Sequence, residues 1–207
     1  YVRPDDFSLL AFGGLGANVD SGTNPNFLHT ATTADSGPYF TLWVNRGGVA
    51  IDKYSDCRVT TFTVRGGAGQ PIGCSFTFMG LTALFGTTDD AAVAVTQDPL
   101  VYPHVTVTRG GSAPKTVESF EVTYNNNGVP IVADNGISPV DYIWGELQVS
   151  GSLVQLFESD ADWRRTFTGT TGGTVHTTTV ASEALTIDAA VNANLGVKQI
   201  FAGIAAR

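Results

Sequence analysis

Histidines, thiols and paired acids are the side chains of this chain able to hold a metal, attack a carbonyl or move a proton. His29, His104 and His176 lie far apart, with no carboxylate or thiol at ligand spacing, so their pattern offers no metal site. Asp5-Asp6, Asp89-Asp90 and the pair Asp160/Asp162 have the chemistry to flank a glycosidic bond or bind calcium. Each pair, however, stands beside a loop or a helix start that accounts for it more simply. No nucleophile elbow, dinucleotide fingerprint or phosphate-cradling loop with its Lys occurs; Arg65-Gly66-Gly67-Ala68-Gly69 reads as a hairpin turn. Cys57 and Cys74 are too few for a disulfide scaffold and sit in alternating runs, where they read as buried free thiols rather than a bridge. Arg164 and Arg165 read either as surface cations or as partners for carboxylates across a subunit boundary. The expectation is therefore no catalytic residue, no metal ligand, no cofactor-binding residue and no cofactor.

The elements that carry these residues are mostly strands. At 207 residues the chain is long enough for one well-packed domain, and 43% apolar with only 14% charged residues, rich in Gly, Thr and Val, favours strands joined by turns. Eleven basic against nineteen acidic residues give a formal charge of -8, which argues against a general nucleic-acid-binding surface. No apolar stretch approaches bilayer length and no basic-then-apolar segment opens the chain, which reads as soluble. It begins at Tyr1 with its one methionine at Met79, as if an upstream segment had been removed or lay outside the sequence.

Residues 1–38, with the run GGLGANVDSGTNPN, read as an N-terminal arm or extended loop, whose Phe7, Leu9, Leu10 and Phe12 suggest docking on a neighbour; 39–207 form the β domain. Along 57–64 Thr61 and Thr63 alternate with Phe62 and Val64, and after the glycine turn Ser75 and Thr77 alternate with Phe76 and Phe78. Further on, Ser119, Glu121 and Thr123 oppose Phe120, Val122 and Tyr124, while Glu146, Gln148 and Ser150 oppose Leu147 and Val149. Asp89-Asp90 is placed to start a brief helical turn, and 175–180, 185–189 and 197–202 read as closing strands. Between them, Ser159 as N-cap, Asp162 at N3 and Trp163 and Phe167 at i, i+4 predict one short helix ended by Gly169, its aromatic pair packing on the sheet. The fold class is all-β: an antiparallel β-sandwich or barrel with one short α-helix.

Residues 38–173, through PYFTLWVNRGG, DKYSDCRVTTFTVRGGAGQPIGCSFTFMG, VESFEVTYNNNGVP and DYIWGELQVSGSLVQLFESDADWRRTFTGTTGG, resemble the major tail tube proteins of bacteriophages with long non-contractile tails. That resemblance implies two long hairpins, here 57–80 and 117–157, that join those of neighbouring subunits into a continuous barrel, stacked as hexameric rings. It puts Phe62, Val64, Phe76, Phe78, Phe120, Val122, Leu147 and Val149 in an outward core under the helix. The channel-lining candidates are then Thr61, Thr63, Ser75, Thr77, Ser119, Glu121, Thr123, Glu146, Gln148 and Ser150, a face read as free of Lys and Arg. Implied partners are further copies of itself, a tape measure protein, and tail terminator and tip proteins, with DNA passing through the lumen unbound and no membrane. The implied location is the virion tail, after assembly in the host cytoplasm. Two other readings stand beside it: a β-sandwich binding or decoration module on a virion or cell surface, marked by exposed loop aromatics, and an enzyme on a jelly-roll scaffold.

Overall fold

The computed structural model of the chain describes residues 2–23, 26–88, 97–110, 114–133, 136, 138–170, 172–177, 182–192 and 195–205. Its strands are β1 (Gly16–Thr23), β2 (Asn26–Thr33), β3 (Phe40–Asn45), β4 (Ile51–Gly67), β5 (Gly73–Met79), β6 (Thr82–Leu84) and β7 (Val105–Arg109). They continue with β8 (Val117–Asn125), β9 (Val129–Val132), β10 (Pro139–Ile143), β11 (Gln148–Gln155), β12 (Ser182–Asn192) and β13 (Leu195–Ala205). Helix α1 spans Pro4–Leu15 and α2 spans Asp160–Thr168, so the all-β, antiparallel expectation stands, with two helices rather than one.

One compact unit comprises Tyr1–Val64, Gly73–Pro99 and Val122–Gly151, the other Arg65–Ile72, Leu100–Glu121 and Ser152–Arg207. A six-stranded sheet runs β11-β8-β4-β3, with β5 and β6 also paired to β4. Among the described strands, β5 and β11 are each hydrogen-bonded to one neighbour. The order β13-β12-β7 forms a three-stranded sheet, and β1-β2 and β9-β10 are separate two-stranded hairpins.

Strand β4 is seventeen residues long and irregular at two places. Against β3 its register shifts between Phe40↔Cys57 and Leu42↔Tyr54, where Asp56 takes φ 54°, a left-handed conformation that aspartate tolerates better than most residues. Farther along, Val59 and Phe62 are both buried with two half-buried threonines between them, so the inward-facing parity changes. Asn126 occupies that irregularity. Its amide donates to the carbonyls of Val59 (3.0 Å) and Gly14 (2.8 Å), and its backbone N–H donates to the Thr60 carbonyl (2.8 Å), so both amide hydrogens of this buried side chain are used.

Within residues 1–38, read as an arm or extended loop, the described residues include α1 and the β1-β2 hairpin. Val2, Phe7 and Ala11 are buried. Pro4 stands in the first turn, where a missing N–H costs nothing. Gly13 and Gly14 let the last turn approach aromatic rings: a Cβ would sit 2.3 Å from Phe40 Cε2 at Gly13 and 2.4 Å from Phe62 Cε1 at Gly14. The glycines that look like loop signals are thus packing contacts. The helix that covers Phe62 and Phe76 is therefore α1, whose Phe7 ring meets Phe76 edge-on at 6.3 Å.

Of the closing strands, 185–189 lies in β12 and 197–202 in β13, whereas 175–177 is not strand and 178–180 lies outside the described residues. The helical turn expected at Asp89-Asp90 also lies outside them.

Candidate functional site

The residues singled out for their types fall on strands whose two sides differ sharply. In the first unit Phe62 is 2% exposed and lies between the rings of Tyr124 (4.2 Å) and Phe76 (5.4 Å), both nearly parallel to it. Burial among these rings pushes the Tyr124 hydroxyl well above its ordinary range. Opposite that apolar layer, Thr63 Oγ1 meets Thr123 Oγ1 at 2.9 Å, and Thr61 Oγ1 donates to Asn125 Oδ1 at 3.5 Å. Ser75 and Thr77 are exposed on β5, with Phe76 and Phe78 half-buried between them. Gln148 and Ser150 are exposed on β11; Glu146 is exposed but precedes that strand, its carbonyl accepting the Asn127 amide at 2.8 Å.

Along β8 the alternation holds from Ser119 onward: Phe120, Val122 and Tyr124 are buried, Ser119 and Thr123 half-buried, and Glu121 exposed. Val64 is buried as expected. Leu147 is only half-buried and Val149 is 46% exposed; among the described strands β11 has a neighbour on one flank alone. The threonine side of β4 also carries a cation the sequence reading omitted. Arg65 continues the parity of Thr61 and Thr63 and is exposed.

In the second unit α2 is turned opposite to the expectation. Ser159 makes no side-chain cap; Gly169 closes the helix in the left-handed region, its N–H on the Arg165 carbonyl at 3.0 Å. Trp163 and Phe167 pack on each other with centroids 4.8 Å apart, yet are 55% and 41% exposed. Charges hold the helix instead. Glu183 of β12, 7% exposed, accepts Arg109 Nε at 2.8 Å and Arg165 Nη1 at 3.1 Å, and Lys115 Nζ reaches Asp162 Oδ2 at 2.8 Å. The Lys115 hydrogen bond holds the Asp162 carboxyl below the usual carboxylate range, against the opposing push of burial. Arg164 pairs with Asp160 one turn earlier, so both arginines find carboxylates within the chain. A cavity of ≈ 470 Å³ lies beside the aromatic pair, lined also by Arg164, Thr168, Gly173, Thr174 and His176.

The remaining candidates are apart from one another. His29 Nδ1 lies 2.7 Å from its cross-strand partner Asp20, and His104 Nδ1 accepts the Val101 N–H at 3.4 Å. Cys57 is buried and Cys74 half-buried, and no disulfide joins them; burial raises the Cys57 pKa. Among the described residues no three His, Cys, Asp or Glu side chains group as metal ligands, and no helix is long and apolar enough to cross a membrane. Sequence reasoning missed Asn126, Glu183 and buried Asp52, which pairs with Arg46 at 2.5 Å. Only position among apolar neighbours marks them, and polar residues in turn-rich stretches carry no sign of which will be enclosed.

Among curated proteins none matches the chain. A family model described as phage tail tube protein matches residues 2–203.

Proposed function

We propose that this chain, which belongs to the phage tail tube protein family, is the major tail tube subunit of a long non-contractile tail, closing into hexameric rings whose stacked channel delivers the viral genome during ejection. The family makes it a structural component of the virion that assembles into a tube. The observation that carries the finer reading is a sheet with an aromatic layer on one side, hydroxyls on the other, and β5 and β11 each paired, among the described strands, on one side only. An unpaired strand edge is a liability in solution, and pairing β11 of one copy with β5 of the next removes it around a closed ring. Four strands from each of six copies, spaced by about 4.8 Å and tilted by about 40°, would close a backbone circle roughly 45–50 Å across.

In that arrangement Thr61, Thr63, Ser75, Thr77, Ser119, Glu121, Thr123, Glu146, Gln148 and Ser150 line the channel. Lysine- or arginine-rich walls would displace counterions from passing phosphates and hold them, whereas hydroxyls and carboxylates do not. Arg65 is a cation in line with these threonines. The role is structural, without catalysis; a tape measure protein inside the tube and terminator and tip proteins at its ends are the further partners, no membrane is involved, and assembly takes place in the host cytoplasm. The aromatics Phe85 and Phe157, both strongly exposed, are the feature a surface-binding or decoration module would carry.

Electron microscopy of the purified protein over a concentration series, with its mass by light scattering, tests the proposal. Hollow rings or tubes are the expected result. A compact monomer persisting at high concentration would overturn it and favour the binding module.

A further inference from the structure

We propose that Glu121 is the counterion of Arg65 on the hydroxylated side of the sheet, and that this pairing keeps the channel wall from holding phosphate; the inference rests on the channel reading above. The channel-lining candidates offer hydroxyls, an amide and carboxylates, and Arg65 interrupts that pattern. Every copy in a ring would bring one guanidinium to the wall, and a guanidinium matches phosphate geometry better than any other side chain.

Strands β4 and β8 are hydrogen-bonded neighbours. Three contacts just past Arg65 fix their register. The Ala68 N–H donates to the Glu118 carbonyl at 3.0 Å, a Cβ on Gly67 would lie 3.9 Å from Ser119 Cβ, and one on Gly66 would lie 2.5 Å from the Phe120 ring. One residue farther back on β4, Arg65 stands opposite Glu121. The same register brings Thr63 beside Thr123, whose hydroxyl oxygens are 2.9 Å apart. Residues opposite each other in an antiparallel pair hold their Cβ atoms about 4.5–5.5 Å apart, well within reach of two long side chains. Both Arg65 and Glu121 are exposed. Strand β5, also paired to β4, carries no charged residue, and Glu118 has the parity of Phe120, so Glu121 is the acid that β8 places on the side of Arg65.

Between exposed side chains such an attraction adds little to stability. Its effect is on the field at the wall. Charges are screened over about 8 Å in physiological salt, farther than the separation of opposite residues, so a passing phosphate meets the pair as a neutral unit. Without Glu121 the same phosphate meets a lone guanidinium.

Tubes of the parent, of Glu121→Gln and of the double variant Arg65→Gln/Glu121→Gln, sedimented with a short fluorescent DNA duplex over a salt series, test the pairing. Parent and double-variant tubes should leave the duplex in solution, whereas Glu121→Gln tubes should carry it down. That binding should fall about tenfold or more between 50 and 200 mM salt, the slope of two or more neutralised phosphates. Glu121→Gln tubes that bind no more DNA than the parent, or double-variant tubes that bind as much as Glu121→Gln, would overturn the pairing and leave the tube reading intact. Glu121→Thr, which copies the neighbouring hydroxyls, repeats the test, and loss of assembly in both Glu121 variants would overturn the role by placing that side chain at a subunit interface. Failure of the parent to form rings or tubes at any concentration would overturn both readings.

Discussion

Glu183→Ala removes the carboxylate on which two arginines converge. Glu183 is 7% exposed, and Arg109 and Arg165 are 16% and 24% exposed, so both guanidiniums would be left without their counterion and only partly wetted. Breaking a fully buried pair costs about 3–5 kcal/mol; with this residual solvent access the cost should be about 2–3 kcal/mol. For a chain of this length each kcal/mol lowers the melting temperature by about 2–4 °C, so the variant should melt roughly 5–10 °C below the parent. Glu183→Gln keeps an acceptor and should fall between the two. Thermal melting followed by circular dichroism gives the answer, and a Glu183→Ala protein that melts within a degree of the parent would refute the view that charge holds α2 in place.

Phe62→Ala should cost about 3–5 kcal/mol, because it opens a cavity in a stack of three rings and exposes the Gly14 contact; chemical denaturation measures it. The depressed Asp162 pKa contributes stability that is present above the ordinary carboxylate pKa and lost as pH falls through the lowered folded value, so Lys115→Met should flatten the acid limb of a pH–melting curve below about pH 4. Trp163→Ala, at an exposed position, should change the single-chain thermal melt by about 1 kcal/mol or less. Glu121→Lys with Glu146→Lys should leave tube assembly largely intact and slow genome ejection; unchanged ejection with collapsed assembly would put those side chains at an interface.

Much of the sheet was legible because Thr63 on β4, Ser75 and Thr77 on β5 and Thr123 on β8 each stand between residues that need burial. The parity change in β4 was not legible, since Thr60 and Thr61 look like two more members of a β-branched run and the cause, the Asn126 amide, lies far along the chain. Helix α1 was hidden by Gly13 and Gly14, which read as loop residues until Phe40 and Phe62 are seen to need the space. Pro4, then Asp5 and Asp6, then apolar Phe7, Leu10 and Ala11 at helical spacing were the overlooked signal. The orientation of α2 failed for a related reason. Trp163 and Phe167 mark an apolar stripe, but the charged stripe beside it had partners, Lys115 and Glu183, in segments where sequence gives no pairing.

Cryo-electron microscopy of assembled tubes, at a resolution that places side chains, tests most directly whether the hydroxylated side of the sheet lines a channel. The account predicts Thr63 and Thr123 facing the axis, with Phe62 and Tyr124 at larger radius. Rings whose aromatic layer faces the axis, or a solid fibre without a channel, would contradict it.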